Sequence, residues 1–274
     1  MANDQRCAGC GAHLEPAFRF CAQCGRPVAG APVAPPAPAR RDTSPRSLPG
    51  QAPAAPAAPA APQARPAGIP SLKLVPVRHD GRAGPAQPLQ GAGVICGRAE
   101  GQLLFPDDTT VSPRHARFTP RGDGALLEDL GSLNGTFLRL RGPRPLALGD
   151  EVRLGRQLLR LEAIARPAAA GTRPWGSPDP GYRARLVQLL DGSGTGEAFP
   201  LKAGENLLGR EVGDVTFPQD RYVSARHARL DVLASAVVLV DLGSSNGTFL
   251  RVAGPVPVTA GDQVLVGMQL VRLE

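Results

Sequence analysis

The most constraining feature of this sequence is a block of polar and glycine residues that occurs twice, 112 positions apart. The shared positions are Gly97, Arg98, Ser112, Arg114, His115, Asp129 and Asn134 in the first copy and Gly209, Arg210, Ser224, Arg226, His227, Asp241 and Asn246 in the second. A repeat kept only for packing would preserve apolar periodicity and let the turns vary. This repeat instead holds Arg, Ser, His and Asn in register, which predicts a duplicated binding surface.

The repeat also predicts the domain organisation. Two domains over 71–165 and 181–274, joined by a linker at 166–180, are each long enough to bury a core. Residues 1–27 and 28–70 precede them and differ sharply in composition, so we interpret them as a small module and a linker.

Four cysteines in the N-terminal module have metal-ligand spacing. Cys7 and Cys10 form one Cys-x-x-Cys-Gly pair, and Cys21 and Cys24 form a second. Two matched pairs this close predict one tetrahedral Zn²⁺, which is structural because four thiolates leave no position for a catalytic water. A disulfide pair or a redox site is the alternative, and the duplicated spacing favours zinc. The module resembles the short zinc ribbons of bacterial regulatory proteins.

The segment 28–70 is built from Ala and Pro, cannot bury a core, and is predicted to be a disordered, extended linker. It contains Thr43 beside Arg40 and Arg41. The chain has neither a signal-type apolar start nor an apolar run of membrane-spanning length, so we expect a cytoplasmic protein without a membrane partner.

The net charge of +7 is a weak argument for nucleic-acid binding. Residues 1–70 carry seven Arg against three acids, whereas the last domain is slightly acidic. Only 4% of the residues are aromatic, and the stripe of basic and aromatic residues typical of nucleic-acid binding is missing.

Both repeated domains are predicted to be all-β. Short apolar runs such as 94–96, 116–118 and 151–154 are bounded by Gly, Pro, Asp and Asn, and no stretch has a helical period over three turns. Many short strands at near-regular spacing predict two β-sandwiches in tandem. Asn134-Gly135 and Asn246-Gly247 are typical of tight turns.

The ordered motifs Gly-Arg, Ser-x-x-His and Asp-Leu-Gly-Ser-x-Asn-Gly-Thr resemble the signature of the forkhead-associated (FHA) domain, and both copies carry them. The resemblance implies a β-sandwich whose loops at one end bind phosphothreonine peptides. It also implies a role for each shared polar residue. Arg98 and Arg210 contact the phosphate, Ser112 and Ser224 donate hydrogen bonds to it, and Asn134 and Asn246 hold the peptide backbone.

The remaining shared residues are expected to build the loops. The resemblance makes His115 and His227 architectural, with Asp129, Asp241, Gly97 and Gly209 as structural positions. No nucleophile or carboxylate lies at partner spacing from the histidines, so we expect no enzyme activity. Arg114 and Arg226 either reach the peptide or pair with a nearby acid, and the sequence leaves both open.

The two copies differ at positions that the resemblance connects with binding. Ser245 precedes the asparagine in the second copy, where the first has Leu133. Asp214 in the second copy corresponds to Gln102 in the first, and Pro113 removes a backbone donor from the first. The second domain is therefore predicted to be the better phosphothreonine binder.

These features predict a signalling adaptor that binds proteins phosphorylated on threonine by Ser/Thr kinases. One alternative is a scaffold that binds unphosphorylated partners, or its own linker once Thr43 is phosphorylated. Another is a nucleic-acid-associated regulator acting through the zinc ribbon, and this is disfavoured because Arg19 is the only basic residue between Cys7 and Cys24.

Overall fold

The computed structural model describes residues 72–78, 80–164 and 175–274, together with Arg6 and Gly171. All strands and turns in these ranges belong to an all-β fold, as predicted. No helix in the described part of the chain has the length and apolar character needed to cross a bilayer. The predicted zinc ligands, Thr43 and the linker at 28–70 lie outside the described residues and stay predictions.

Each repeat contributes ten strands. Those of the first repeat are β1 (Lys73–Val77), β2 (Gln87–Pro88), β3 (Val94–Gly97), β4 (Leu103–Leu104), β5 (Ala116–Arg121), β6 (Gly124–Asp129), β7 (Thr136–Arg139), β8 (Arg144–Leu146), β9 (Glu151–Leu154) and β10 (Gln157–Ala163). Those of the second are β11 (Ala184–Leu189), β12 (Thr195–Leu201), β13 (Gly204–Gly209), β14 (Val215–Thr216), β15 (Ala228–Val232), β16 (Val237–Asp241), β17 (Thr248–Arg251), β18 (Val256–Val258), β19 (Gln263–Val266) and β20 (Gln269–Leu273).

The strands form three sheets. One long sheet has the order β12-β11-β10-β9-β17-β7-β19-β20-β1-β2 and contains strands of both repeats. Two five-stranded sheets have the orders β14-β13-β15-β16-β8 and β18-β6-β5-β3-β4. Each shorter sheet also contains one strand from the other repeat.

The pairing of β7 with β17 lies at the centre of the long sheet. The two strands are antiparallel, with Leu138 opposite Leu250. These leucines are themselves equivalent positions of the two repeats, because they are 112 residues apart. The long sheet therefore has an approximate twofold axis through this pair, which relates β9 to β19, β10 to β20 and β11 to β1.

The hydrophobic cores show that the C-terminal strands of the two repeats are exchanged. One core joins residues of β1 and β3–β6 with Val258 of β18, Val264 of β19 and Leu273 of β20. The other joins residues of β11–β16 with Val152 of β9 and Leu161 of β10. We call the first assembly, β1–β7 with β18–β20, body 1, and the second, β8–β17, body 2.

The exchange concerns how the two repeats pack, and the predicted domain ranges stay predictions about the sequence. The ranges 71–165 and 181–274 describe the repeats in sequence, but neither range contains all the strands of a packed sandwich. The physical reason is that both C-terminal segments place apolar residues at the same inward positions, so either one fits either core. The equivalent buried pairs are Val152 and Val264, Leu154 and Val266, Leu159 and Val271, and Leu161 and Leu273.

The segments that cross between the bodies, 140–143 and 252–255, each end in Gly-Pro. Proline lacks a backbone N–H and holds the residue before it in an extended conformation. This chemistry favours a chain that crosses over rather than one that folds straight back into a ladder.

The exchange predicts a specific cross-link in the native chain, which contains only two lysines, Lys73 and Lys202. Lys73 Nζ lies 3.1 Å from Glu274 Oε2, because β1 pairs with β20. The residue 112 positions before Glu274 is Glu162, which instead pairs with Arg185. Zero-length carbodiimide coupling followed by peptide mass spectrometry should yield an isopeptide between Lys73 and Glu274. A dominant link between Lys73 and Glu162 would show that each repeat closes on itself.

Candidate functional site

Hydrogen bonds from backbone and side chains hold three loops of the first repeat together at one end of body 1. The N–H of Arg98 donates to the carbonyl of Ser112 at 2.9 Å. The N–H of Leu133 donates to Ser112 Oγ at 3.0 Å, and Asn134 Nδ2 donates to the carbonyl of Thr110 at 2.7 Å. The structure thus brings together the predicted residues Arg98, Ser112 and Asn134, which we call site 1 together with Arg114.

The second repeat builds the same arrangement in body 2. The N–H of Arg210 donates to the carbonyl of Ser224 at 2.9 Å, and the N–H of Ser245 donates to Ser224 Oγ at 3.2 Å. Asn246 Nδ2 donates to the carbonyl of Tyr222 at 2.8 Å. These residues and Arg226 form site 2.

The internal hydrogen bonds leave defined groups for a ligand. Ser112 Oγ and Ser224 Oγ accept from the backbone, so each hydroxyl proton remains available to donate to an anion. Asn134 and Asn246 use their NH₂ groups internally, which leaves the side-chain oxygen as an acceptor for a peptide N–H. Each site therefore offers a guanidinium and a hydroxyl as donors and an amide oxygen as acceptor.

Both histidines are buried and bound to backbone on both ring nitrogens. His115 Nδ1 accepts from the N–H of Ser112 at 3.0 Å, and its Nε2 lies 3.0 Å from the carbonyl of Gly135. His227 makes the same contacts with Ser224 and Gly247. An acceptor at Nδ1 requires a neutral ring protonated at Nε2, so each histidine ties the serine loop to the Asn-Gly turn.

The aspartates organise the same turns. Asp129 accepts from the N–H groups of Gly131 and Ser132 and from the hydroxyls of Ser132 and Thr136. Asp241 has the equivalent partners in the second repeat. Burial opposes ionisation of Asp129, but these hydrogen bonds outweigh it and lower its pKa below the usual value.

The glycines before the arginines allow close approach of two loops. A side-chain Cβ at Gly97 would overlap the carbonyl oxygen of Pro113, and one at Gly209 would overlap that of Ala225. These carbonyls belong to the serine loops, so only glycine lets the arginine and the serine lie side by side.

The arginines of the two sites have different partners. Arg98 Nε donates to the carbonyl of Val111 at 3.2 Å, whereas Arg210 forms a two-point contact with the Glu211 carboxylate at 2.7 and 2.9 Å. Ala99 occupies the position equivalent to Glu211. Arg114 lies 3.9 Å from Glu100, so it has a loose acid partner.

One expected difference between the repeats has little structural effect. Gln102 and Asp214 both accept a hydrogen bond from a backbone N–H, that of Ile95 and that of Leu207 respectively. Gln in place of Asp therefore preserves this hydrogen bond to the backbone. Leu133 is a real difference, because its side chain is 86% exposed beside Asn134.

Sequence reasoning missed that each Asn-Gly turn is supported by an arginine of the other repeat. The Arg251 guanidinium packs against Gly135 of site 1 and is held by Glu151 at 2.6 Å. Arg139 packs in the same way against Gly247 of site 2. Arg139 and Arg251 are 112 residues apart, a signal that marked them as equivalent without showing which turn each supports.

A second cross-repeat contact supports each serine loop. Gln269 Nε2, next to the β19–β20 turn, donates to Asp108 of the first repeat at 2.6 Å. Gln157 Nε2 donates to Asp220 of the second at 2.9 Å, as does the N–H of Arg156 at 2.8 Å. Each site thus takes its arginine, serine and asparagine from one repeat, and residues of the other repeat contact its loops.

The two sites lie at opposite ends of the central strand pair. Asn134-Gly135 immediately precedes β7, and Asn246-Gly247 immediately precedes β17. The strands are antiparallel, and their register separates Gly135 from Gly247 by six residues along the pair. At about 3.3 Å per residue this is about 20 Å along the strands.

Comparison with known proteins gives a consistent family. The FHA domain model matches residues 94–155 and 206–267. An oxoglutarate dehydrogenase inhibitor of Corynebacterium jeikeium is 38% identical over 100 residues, which are 34% of this chain and 69% of that protein. The FHA domain-containing protein FhaB of Mycobacterium tuberculosis strain H37Rv is 35% identical over 95 residues, covering 34% of this chain and 61% of that protein.

Solved structures of FHA domains are also similar to part of the chain. One, from a structural and functional analysis of phosphothreonine-dependent FHA domain interactions, is 30% identical and covers 32% of this chain and 92% of its own, with a TM-score of 0.22. Another, the FHA domain of FhaA complexed with the intracellular domain of Rv3910, is 26% identical and covers 32% and 97%, with a TM-score of 0.20.

The buried histidines predict a loss of stability in weak acid. Burial lowers the pKa of His115 and His227 below 6.5, although the Gly135 and Gly247 carbonyls oppose the shift. A histidine with a lower pKa in the folded state binds its proton on unfolding. Its contribution is therefore complete above about pH 6.5 and falls as the pH drops below that value. Urea unfolding should give a smaller free energy at about pH 5.5 than at about pH 7.5.

The control for this prediction is the double variant His115→Gln, His227→Gln, which keeps His13 and His79. Its unfolding free energy should vary less over the same pH range. An equal pH dependence in the variant would assign the effect to other groups.

Proposed function

Because this chain belongs to the FHA domain family, we propose that it is an adaptor that binds phosphothreonine peptides at site 1 and site 2. Its partners are proteins phosphorylated by Ser/Thr kinases. The observation that carries the proposal is the convergence, twice, of an arginine, a serine hydroxyl with a free proton and an asparagine oxygen on one loop cluster.

The proposed contacts follow from the chemistry of a phosphate ester. Phosphothreonine carries nearly two negative charges and three strong acceptor oxygens at neutral pH. The guanidinium of Arg98 or Arg210 supplies planar paired donors, and the adjacent serine supplies one more. The asparagine oxygen then accepts from the peptide backbone, which orients the segment that follows the phosphothreonine.

Site 2 is proposed as the stronger phosphothreonine binder. Ser245 presents a small polar side chain next to Asn246, whereas Leu133 exposes a large apolar one at that position in site 1. Ala225 also keeps the backbone N–H that Pro113 lacks, giving site 2 one more possible donor.

Glu211 acts against this advantage. Its carboxylate occupies the donors of Arg210 that the proposal assigns to phosphate, so a ligand at site 2 has to displace it. The pair is partly exposed, so the opposition is modest, in the range of about 0–1 kcal/mol for surface ion pairs.

Titration calorimetry with matched phosphothreonine, phosphoserine and unmodified peptides tests the proposal. The full chain should bind two phosphothreonine peptides and discriminate against the other two forms. Arg98→Ala should weaken peptide binding at site 1, and Arg210→Ala should weaken it at site 2. Loss of a charged hydrogen bond costs roughly 1.5–3 kcal/mol, which corresponds to about tenfold to a hundredfold in affinity. Equal affinity for the unmodified peptide would refute phosphate recognition.

Removing the competing carboxylate should strengthen site 2. Glu211→Gln is expected to raise phosphothreonine affinity there by up to about fivefold, because Arg210 no longer exchanges one anion for another. The measurement is calorimetry in an Arg98→Ala background, with Glu197→Gln as the control for loss of an exposed carboxylate elsewhere. A decrease in affinity would mean that Glu211 orients Arg210 rather than competing for it.

A further inference from the structure

The tip of an exchanged hairpin borders each phosphate site. At site 1, Asp108 accepts a hydrogen bond from the side chain of Gln269, the residue that follows Met268 in the second repeat. At site 2, Asp220 accepts from the backbone of Arg156 in the first repeat. Met268 and Arg156 are equivalent positions, and both side chains are exposed. The same structural position thus carries a thioether at one site and a cation at the other.

The surface beside site 1 is apolar and acidic. A groove of about 580 Å³ is lined by Leu104, Phe105, Asp107, Thr109 and Met268, among others. The groove adjoins the site, because the N–H of Phe105 donates to the carbonyl of Gly97, which directly precedes Arg98. Leu104 is 46% exposed and Met268 44%, so both offer apolar surface to a bound peptide.

The equivalent surface beside site 2 is basic. Thr216 replaces Leu104, Gln219 replaces Asp107, and Arg221 replaces Thr109. The Arg221 guanidinium lies 5.7 Å from the centre of the Tyr222 ring, and the Tyr222 carbonyl is bound by Asn246 of site 2. With Arg156, two exposed arginines border site 2. Beside site 1 lie the exposed Asp107 and one partly buried arginine, Arg153, whose Nη2 lies 2.9 Å from Met268 Sδ.

We propose that these surfaces give the two sites different sequence preferences and that the other repeat supplies a deciding residue for each. Arg156 of the first repeat, with Arg221, makes site 2 prefer phosphothreonine peptides with acidic flanking residues. Met268 of the second repeat makes site 1 prefer an apolar flanking residue. This proposal rests on the phosphothreonine-binding function proposed above.

The physical basis differs between the sites. A carboxylate near two arginines gains Coulomb energy that is modest at an exposed surface and decreases with salt. An apolar side chain gains by burying Leu104 and Met268 from water, which is nearly independent of salt. Raising the salt concentration should therefore weaken the acidic preference of site 2 and leave the apolar preference of site 1 nearly unchanged.

The test uses the full chain with one site disabled. Arg98→Ala leaves binding at site 2 to be measured, and Arg210→Ala leaves binding at site 1. Phosphothreonine peptides with neutral flanks are compared with peptides carrying a single Glu or Leu at each of four positions on either side. Arg156→Met should lower the ratio of Glu-peptide to neutral-peptide affinity at site 2 about two- to fivefold. Met268→Arg should raise that ratio at site 1 by a similar factor and lower the Leu preference there.

Each variant is also the control for the other. Arg156→Met should leave the ratios at site 1 unchanged, Met268→Arg should leave those at site 2 unchanged, and Arg156→Lys should retain the acidic preference. Unchanged affinity ratios at both sites would overturn the proposal. A change only at site 1 for Arg156→Met, or only at site 2 for Met268→Arg, would overturn it as well. The phosphothreonine peptide with neutral flanks tests the proposed function separately. If neither the native chain nor any variant bound this peptide, phosphate recognition itself would be refuted.

Discussion

The antiparallel pairing of β7 with β17 is the contact on which the rest of the structure depends. Leu138 faces Leu250 at its centre, and the pair joins what would otherwise be two separate half-sheets into one ten-stranded sheet. Once these strands pair, the chain that follows each of them continues into the opposite body. The C-terminal strands of each repeat then complete the core of the opposite body.

The same pairing determines where the sites lie. Both Asn-Gly turns immediately precede a central strand, so antiparallel pairing places them at opposite ends of the strand pair. Two tandem domains on a flexible linker would present their sites in many relative orientations. Here a continuous hydrogen-bonded sheet fixes that orientation.

Exchange also makes each site a product of both repeats. The serine, arginine and asparagine come from one repeat, while the arginine behind the Asn-Gly turn and the hairpin beside the serine loop come from the other. A substitution in one repeat thus acts on the binding chemistry of the other. This coupling is local, through contacts of 2.6 to 2.8 Å, and needs no long pathway.

The sequence alone determined the all-β class and the polar residues that meet at each site, because turn residues such as Asn134-Gly135 act locally and the repeat held them in register. It did not show that Gln102 accepts a hydrogen bond from the Ile95 N–H, as Asp214 accepts one from that of Leu207. Only the tertiary structure decided which C-terminal strands complete which sandwich. Val152 and Val264, like Leu161 and Leu273, fill equivalent positions, so an exchange between them leaves every local pattern unchanged.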